Sequence, residues 1–195
     1  CSTHSSTVPM IALSAVDYII RGGNLMQGID VVRSTALPAE SAEGEHDDLL
    51  ADEVIETLGR AAAGPSPFFL WAHFYDTHEP HPMAARGALA HRDLRRDYAA
   101  EVALTDQAIG RVLEALRALP GDVGARTVVV LTADHGESLG EHGAVGHARD
   151  LFDPVARVPL MIRVPGLEPR VIHEPRSTLS LVPTPQHAAA TRLLT

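Results

Sequence analysis

Asp134 and His135 stand side by side inside VVVLTADHGESLGEHGAVGH, residues 128–147. An adjacent carboxylate and imidazole are donor types that one divalent cation accepts together, Zn²⁺ and Mn²⁺ above all. An aspartate at a strand end also serves as a helix N-cap, with its neighbour merely exposed, so the tripeptide alone leaves both readings open. The setting favours a ligand pair: an apolar run precedes it, Gly136 follows it, and further histidines stand at 142 and 147. A second cluster, HFYDTHEPHP, gathers His73, Asp76, His78 and His81 within nine positions, denser than a surface loop normally carries. Of these, His78 is assigned to the site, and His73 and His81 are read as hydrogen-bonded loop residues. The third candidate is the hydroxyl-rich CSTHSSTVP at residues 1–9. A nucleophile at a helix N-terminus gains from the dipole and from free amides, although Ser and Thr before a proline are also ordinary capping residues.

These clusters need elements to aim them. DDLLADEVIETLGRAAAG (47–64) carries Leu50, Val54, Leu58 and Ala62 at intervals of four, which predicts a helix stopped by Gly64. After Pro65 and Pro67, the aromatic run from Phe68 to Phe74 has strand length. DLRRDYAAEVALTDQAIGRVLEALRAL (93–119) places Tyr98, Val102, Ile109, Val112, Leu113 and Leu116 largely on one helical side, ended by Pro120-Gly121. TVVVLT (127–132) is unalternated, as in a strand buried on both faces, and VPLMIRV (158–164) supplies another strand. ALPAESAEGEHDD (36–48) reads as a surface loop, and VDYIIRGGNLMQGIDVV (16–32) offers only apolar runs split by Gly22-Gly23. Alternating strands and helices imply an α/β class: a mostly parallel central sheet with helices on both faces. In such sheets ligands bind beyond the carboxyl ends of the strands, where Asp134 and His135 fall.

Composition narrows the function. The 195 residues, 45% of them hydrophobic, suffice for one globular domain with a core. A net charge of −9 with scattered arginines lacks the basic patch that tracks phosphates, so no nucleic-acid partner is expected. The single cysteine, Cys1, excludes an internal disulfide framework. No apolar run approaches the ~20 residues that span a bilayer. The opening CSTHSST, without an initiator methionine, suggests the interior of a longer protein.

Taken in order, FFLWAHFYDTHEP, YAAEVALTDQAIGRVLEAL, ADHGESLGEHG and RVPLMIRVPG resemble the sulfatase family of the alkaline phosphatase superfamily, over roughly residues 47–185. The resemblance implies a sulfatase-like catalytic domain over residues 1–195, incomplete because the family's N-terminal strand with acidic metal ligands is missing. It places Asp134 and His135 at two metal-ligand positions. His78, in its H-x-P step, falls where a histidine contacts the transferred group and its leaving oxygen. His147 falls where relatives set a lysine or histidine against the same anion, and Glu137 would orient its neighbours by hydrogen bonds.

Formylglycine sulfatases carry cysteine, any residue, proline or alanine, any residue, then arginine. After Cys1 this chain has Ser2, Thr3, His4 and Ser5, which departs from that pattern. Thr7-Val8-Pro9 instead resembles the T-x-P step of relatives with an unmodified, metal-bound threonine nucleophile, so Thr7 is the first choice and Cys1 the reserve. Met10 and Ile11, and Ser14 and Ala15, depart from the residues that follow in that pattern, and the stretch between Thr7 and Gly28 looks too short for the usual strand and helix. The implied cofactor is a divalent metal ion (Ca, Mg, Mn or Zn). The implied partner is a small-molecule, glycan or lipid anionic ester. The implied reaction is sulfate-ester hydrolysis through a covalent intermediate. The alternatives are a phosphoethanolamine- or phosphoglycerol-type transferase or phosphodiesterase, and a non-catalytic scaffold of the same fold. Such enzymes are commonly exported or face the periplasm.

Overall fold

A computed structural model describes residues 8–22, 26–36, 46–78, 93–147 and 151–181. Strands β1 (Met10–Ser14), β2 (Val31–Ser34) and β3 (Phe69–His73) form a parallel sheet in the order β2-β1-β3. The registers set Ser14 opposite both Ser34 and His73, so all three strands end level. The central β1 has the pattern of a strand covered on both faces, with Ile11, Ala12, Leu13 and Ser14 all buried. A one-turn helix α1 (Asp17–Arg21) follows it. The stretch expected to be too short for the usual strand and helix holds a five-residue strand and this five-residue helix.

The longer helices behave largely as their spacing predicts. Helix α2 (His46–Ala62) buries Leu50, Val54 and Leu58 against Ile11 and Leu13 of β1, and Leu116 of α3 (Leu94–Ala118) completes this core. Asp93 caps α3, its carboxylate accepting the Arg96 N–H at 3.2 Å. Of the predicted face of α3, Leu116 is buried, Val112 packs on the core, and Tyr98, Ile109 and Leu113 are half-buried, while Val102 is exposed. Thr105 and Ala108 are buried as well, Thr105 because it has a buried partner, described below.

A short α4 (Val123–Arg126) occupies the expected GDVGAR turn and leads into β4 (Val129–Thr132). β4 pairs with β7 (Leu160–Arg163) in antiparallel fashion, whereas the three-stranded sheet is parallel. β4 is not buried on both faces as its composition suggests. Val129 packs on the core, but Val130, on the opposite face of the strand, is 44% exposed, and Met161, which pairs with Leu131 on the Val129 face, is 56% exposed.

Two constraints aim the loops at the carboxyl ends. Asp47, in the first turn of α2, is 2% exposed. Its Oδ1 accepts the Tyr75 N–H at 2.7 Å and its Oδ2 accepts the Thr105 hydroxyl at 2.5 Å. Its own N–H, a donor that the helix leaves unpaired, is taken by Asp76 Oδ2 at 3.0 Å. One carboxylate pair thereby ties α2, α3 and the loop after β3. The second constraint is Gly136. Its N–H donates to the Val155 carbonyl at 2.7 Å, beside α5 (Asp153–Ala156), and a Cβ there would stand 2.1 Å from the Pro154 carbonyl oxygen.

Thr105→Val keeps the shape but removes the donor to a buried carboxylate, and should cost about 1–3 kcal/mol in urea unfolding. Gly136→Ala should cost a similar ~1–3 kcal/mol, because the backbone at Pro154 has to move. Burial holds the Asp76 carboxyl above the ordinary aspartate range, with Asp47 and Asp48 adding to the rise and the Asp47 N–H and His46 opposing it. The folded state therefore binds more protons at this residue than the unfolded chain, and its contribution to stability is lost as pH rises from the unfolded aspartate value through the raised one. In Asp76→Asn that falling component should vanish, so unfolding free energy measured across the acidic range climbs more steeply with pH than in the parent. An unchanged slope would assign the raised proton affinity elsewhere.

Candidate functional site

Three imidazoles meet beyond the carboxyl ends of β3 and β4. His78 closes the 3-10 turn Asp76–His78, and the Asp47–Asp76 knot lies directly beneath it. Its ring stacks on Tyr75 at 4.6 Å between centroids. His135 follows β4, and its centroid is 6.0 Å from that of His78 and 4.1 Å from that of His147. Ring nitrogens of His78, His135 and His147 all lie within 4.8 Å of one another.

His147 arrives by strand register. β5 (Ser138–Leu139) and β6 (Val145–Gly146) pair antiparallel, with Ser138 opposite Gly146. One step further along that register, Glu137 faces His147. The Glu137 carboxylate, with a side chain only 3% exposed, sits 3.2 Å from His147 Nδ1. The connecting loop has left-handed backbone at Gly140, His142 and Gly143. Arg95 of α3 pairs with Glu141 in that loop, and the Glu141 carboxylate also accepts the Leu139 N–H at 2.6 Å.

Asp134 is exposed, and its Oδ1 accepts the His135 N–H at 3.0 Å. Its Oδ2 lies 3.9 Å from His135 Nε2, a gap that a single cation with ligand bonds of about 2.0–2.2 Å spans. The donor chemistry, one carboxylate and one imidazole, fits a divalent cation. His135 Nδ1 is 2.9 Å from the Gly136 carbonyl, so that nitrogen carries the proton and Nε2 is left to face Asp134.

The structure therefore brings together His78, His135 and His147, with Asp134 at their edge. His142 does not join them and stacks on Phe152 at 4.1 Å. Thr7, Cys1 and His81 lie outside the described residues. β1, the strand that Thr7 precedes, begins at Met10 and brings Ser14 to the site's end of the sheet. Ser14 was not singled out in the sequence, since a lone serine at the end of MIALS carries no motif. It is fully buried, donates to the Val16 carbonyl at 3.0 Å, accepts the Val16 N–H at 3.1 Å, and lies 3.3 Å from His73 Nδ1. His73, read as a hydrogen-bonded residue, ends β3 against this hydroxyl. Burial pushes its imidazole below the ordinary histidine range, with His135 adding to the fall, while the Asp134 and Asp47 charges oppose it.

The chain is similar in sequence and fold to known proteins. The chain is 35% identical over 120 residues to an uncharacterised sulfatase of Escherichia coli strain K12, a match covering 62% of this chain and 22% of that protein. It is 43% identical over 75 residues to the iduronate 2-sulfatase of Mus musculus, covering 38% of this chain and 13% of that one. It thus spans less than a quarter of either relative's length. Among solved structures, a protein of the alkaline phosphatase superfamily from Vibrio parahaemolyticus superposes with a TM-score of 0.54 at 16% identity, covering 84% of this chain and 40% of that one. The sequence profile of the family described as Sulfatase matches residues 12–189, nearly the whole chain, and the chain belongs to the sulfatase family.

Proposed function

We propose that the protein hydrolyses sulfate esters, and that Asp134, His135, His78 and His147 do so together. The observation that carries this reading is the convergence of His78, His135 and His147 at the carboxyl ends of β3 and β4, with Asp134 beside them. His78 and His147 offer N–H groups to the oxygens of a tetrahedral anion and a proton for its leaving oxygen. A divalent cation held by the Asp134 carboxylate and His135 would neutralise non-bridging oxygens and lower the pKa of an attacking hydroxyl.

On this proposal a hydroxyl gives its proton to solvent, its oxygen attacks sulfur in line, the bond from sulfur to the alcohol oxygen breaks, and His78 gives that oxygen its proton. His147, its ring oriented by buried Glu137, holds a sulfuryl oxygen through its other nitrogen. Water then cleaves the covalent sulfate ester. Thr7 is the proposed nucleophile on its T-V-P resemblance, with Cys1 in reserve. Substitution of Thr7 is the decisive test of that assignment.

Asp134→Ala should abolish binding of Mg²⁺, Mn²⁺ or Ca²⁺ measured by calorimetry, and turnover of an aryl sulfate with it. Thr7→Ala should abolish turnover and spare metal binding; turnover retained would pass the role to Cys1, another hydroxyl or water. His78→Ala should slow esters of poor leaving groups by about 10²–10⁴-fold and activated aryl esters far less. An equal loss across leaving groups would remove His78 from the acid role. Faster turnover of a phosphodiester than of an aryl sulfate would favour the transferase or phosphodiesterase alternative, and no turnover with an intact metal site would favour the scaffold.

A further inference from the structure

We propose that His78, His135 and His147 also form a cation site of their own, selective for Zn²⁺ and its borderline neighbours over Mg²⁺ and Ca²⁺, with Glu137 as its supporting carboxylate. The site is distinct from the Asp134–His135 pair, because two of its three ligands are assigned there to other work. The nitrogens already lie within 4.8 Å of one another. Tetrahedral Zn²⁺ with bonds of about 2.0–2.1 Å sets its ligand nitrogens about 3.3 Å apart, so binding would draw the three imidazoles closer together.

Ring orientation supports the assignment. A metal-ligating histidine generally donates its other N–H to a carbonyl or carboxylate, which fixes the tautomer and raises the basicity of the ligating nitrogen. His135 meets this condition through the Gly136 carbonyl, 2.9 Å from Nδ1. His147 meets it through Glu137, whose carboxylate oxygens stand 3.2 and 3.4 Å from Nδ1. Each ring, when neutral, therefore presents Nε2 as the lone-pair nitrogen. Glu137 is 8% exposed, and a carboxylate at that depth is strongly placed for the imidazole that it holds. An all-imidazole donor set suits Zn²⁺, Co²⁺, Ni²⁺ or Cu²⁺ and discriminates against Mg²⁺ and Ca²⁺, which take oxygen ligands. Occupancy would take His135 from Asp134 and His78 and His147 from the ester. Zn²⁺ should then inhibit turnover, a consequence that rests on the function proposed above; the binding itself does not.

The test is calorimetric titration of the metal-free protein with Zn²⁺, with Co²⁺ absorption in the visible as an independent report of nitrogen ligation. One saturable Zn²⁺ site is expected, lost in His135→Ala and His147→Ala and weakened about 10–100-fold in Glu137→Gln. His142→Ala, whose ring packs on Phe152, should bind as the parent does. Asp134→Ala should keep the Zn²⁺ site while losing Mg²⁺, Mn²⁺ and Ca²⁺, so failure of either metal assignment shows separately. Circular dichroism of each variant checks the fold, and Glu137→Gln, equal in shape to the parent, keeps the test decisive if a histidine variant fails to fold. Absence of Zn²⁺ binding, binding unchanged in Glu137→Gln, or loss of Zn²⁺ with Asp134→Ala would each overturn the proposal.

Discussion

The structure turns on a buried carboxylate. Asp47 begins α2, yet its side chain serves two other segments, accepting the Tyr75 N–H from the loop after β3 and the Thr105 hydroxyl from the middle of α3. Asp76 answers it by taking the Asp47 N–H. Burying two carboxylates is costly unless their oxygens are filled by donors, and here the donors come from three separate stretches of chain. The bonds form together only when α2, α3 and the Tyr75–His78 loop are in register. The surface ion pairs of Arg111 with Asp48 and Asp52 join the same two helices but are exposed, and such pairs contribute little.

From that knot the site is assembled at one end of the sheet. Parallel pairing sets the ends of β1, β2 and β3 level, so that Ser14 and His73 lie where the chain leaves the sheet. The loop after β3 carries His78 over this end, and β4 delivers Asp134 and His135 to it. Helix α3 serves three parts of the molecule: Arg95 holds the Glu141 loop, Thr105 joins the knot, and Leu116 enters the core. Packing and chemistry are thus divided along one helix. Apolar contacts at its carboxyl end fix its position, and polar contacts nearer its amino end transmit that position to the histidines.

Much of this was legible in the sequence where a periodic pattern met a single constraint. Leu50, Val54 and Leu58 could be read because α2 has one apolar face and one core to meet. Asp134, His135 and His78 could be read because their residue types are rare in such density. The face of α3 was legible except at its centre, where Thr105 is buried by a partner 58 positions away in the chain, and no local pattern encodes that. β4 was misread for the opposite reason. Its β-branched run speaks of two covered faces, and the described residues cover one. The pairing of Glu137 with His147 depends on a two-residue ladder too short to leave any hydrophobic alternation.

That ladder has a consequence for how the protein can vary. Side chains alternate along a strand, so a shift of one residue turns every group to the opposite side. Between Glu137 and His147 the chain has a fixed count, held by the left-handed turns at Gly140, His142 and Gly143. Substitutions on the exposed rim of this segment leave the count intact, whereas a single insertion or deletion would swing His147 away from its carboxylate. In this segment length, more than composition, is what inheritance has to preserve.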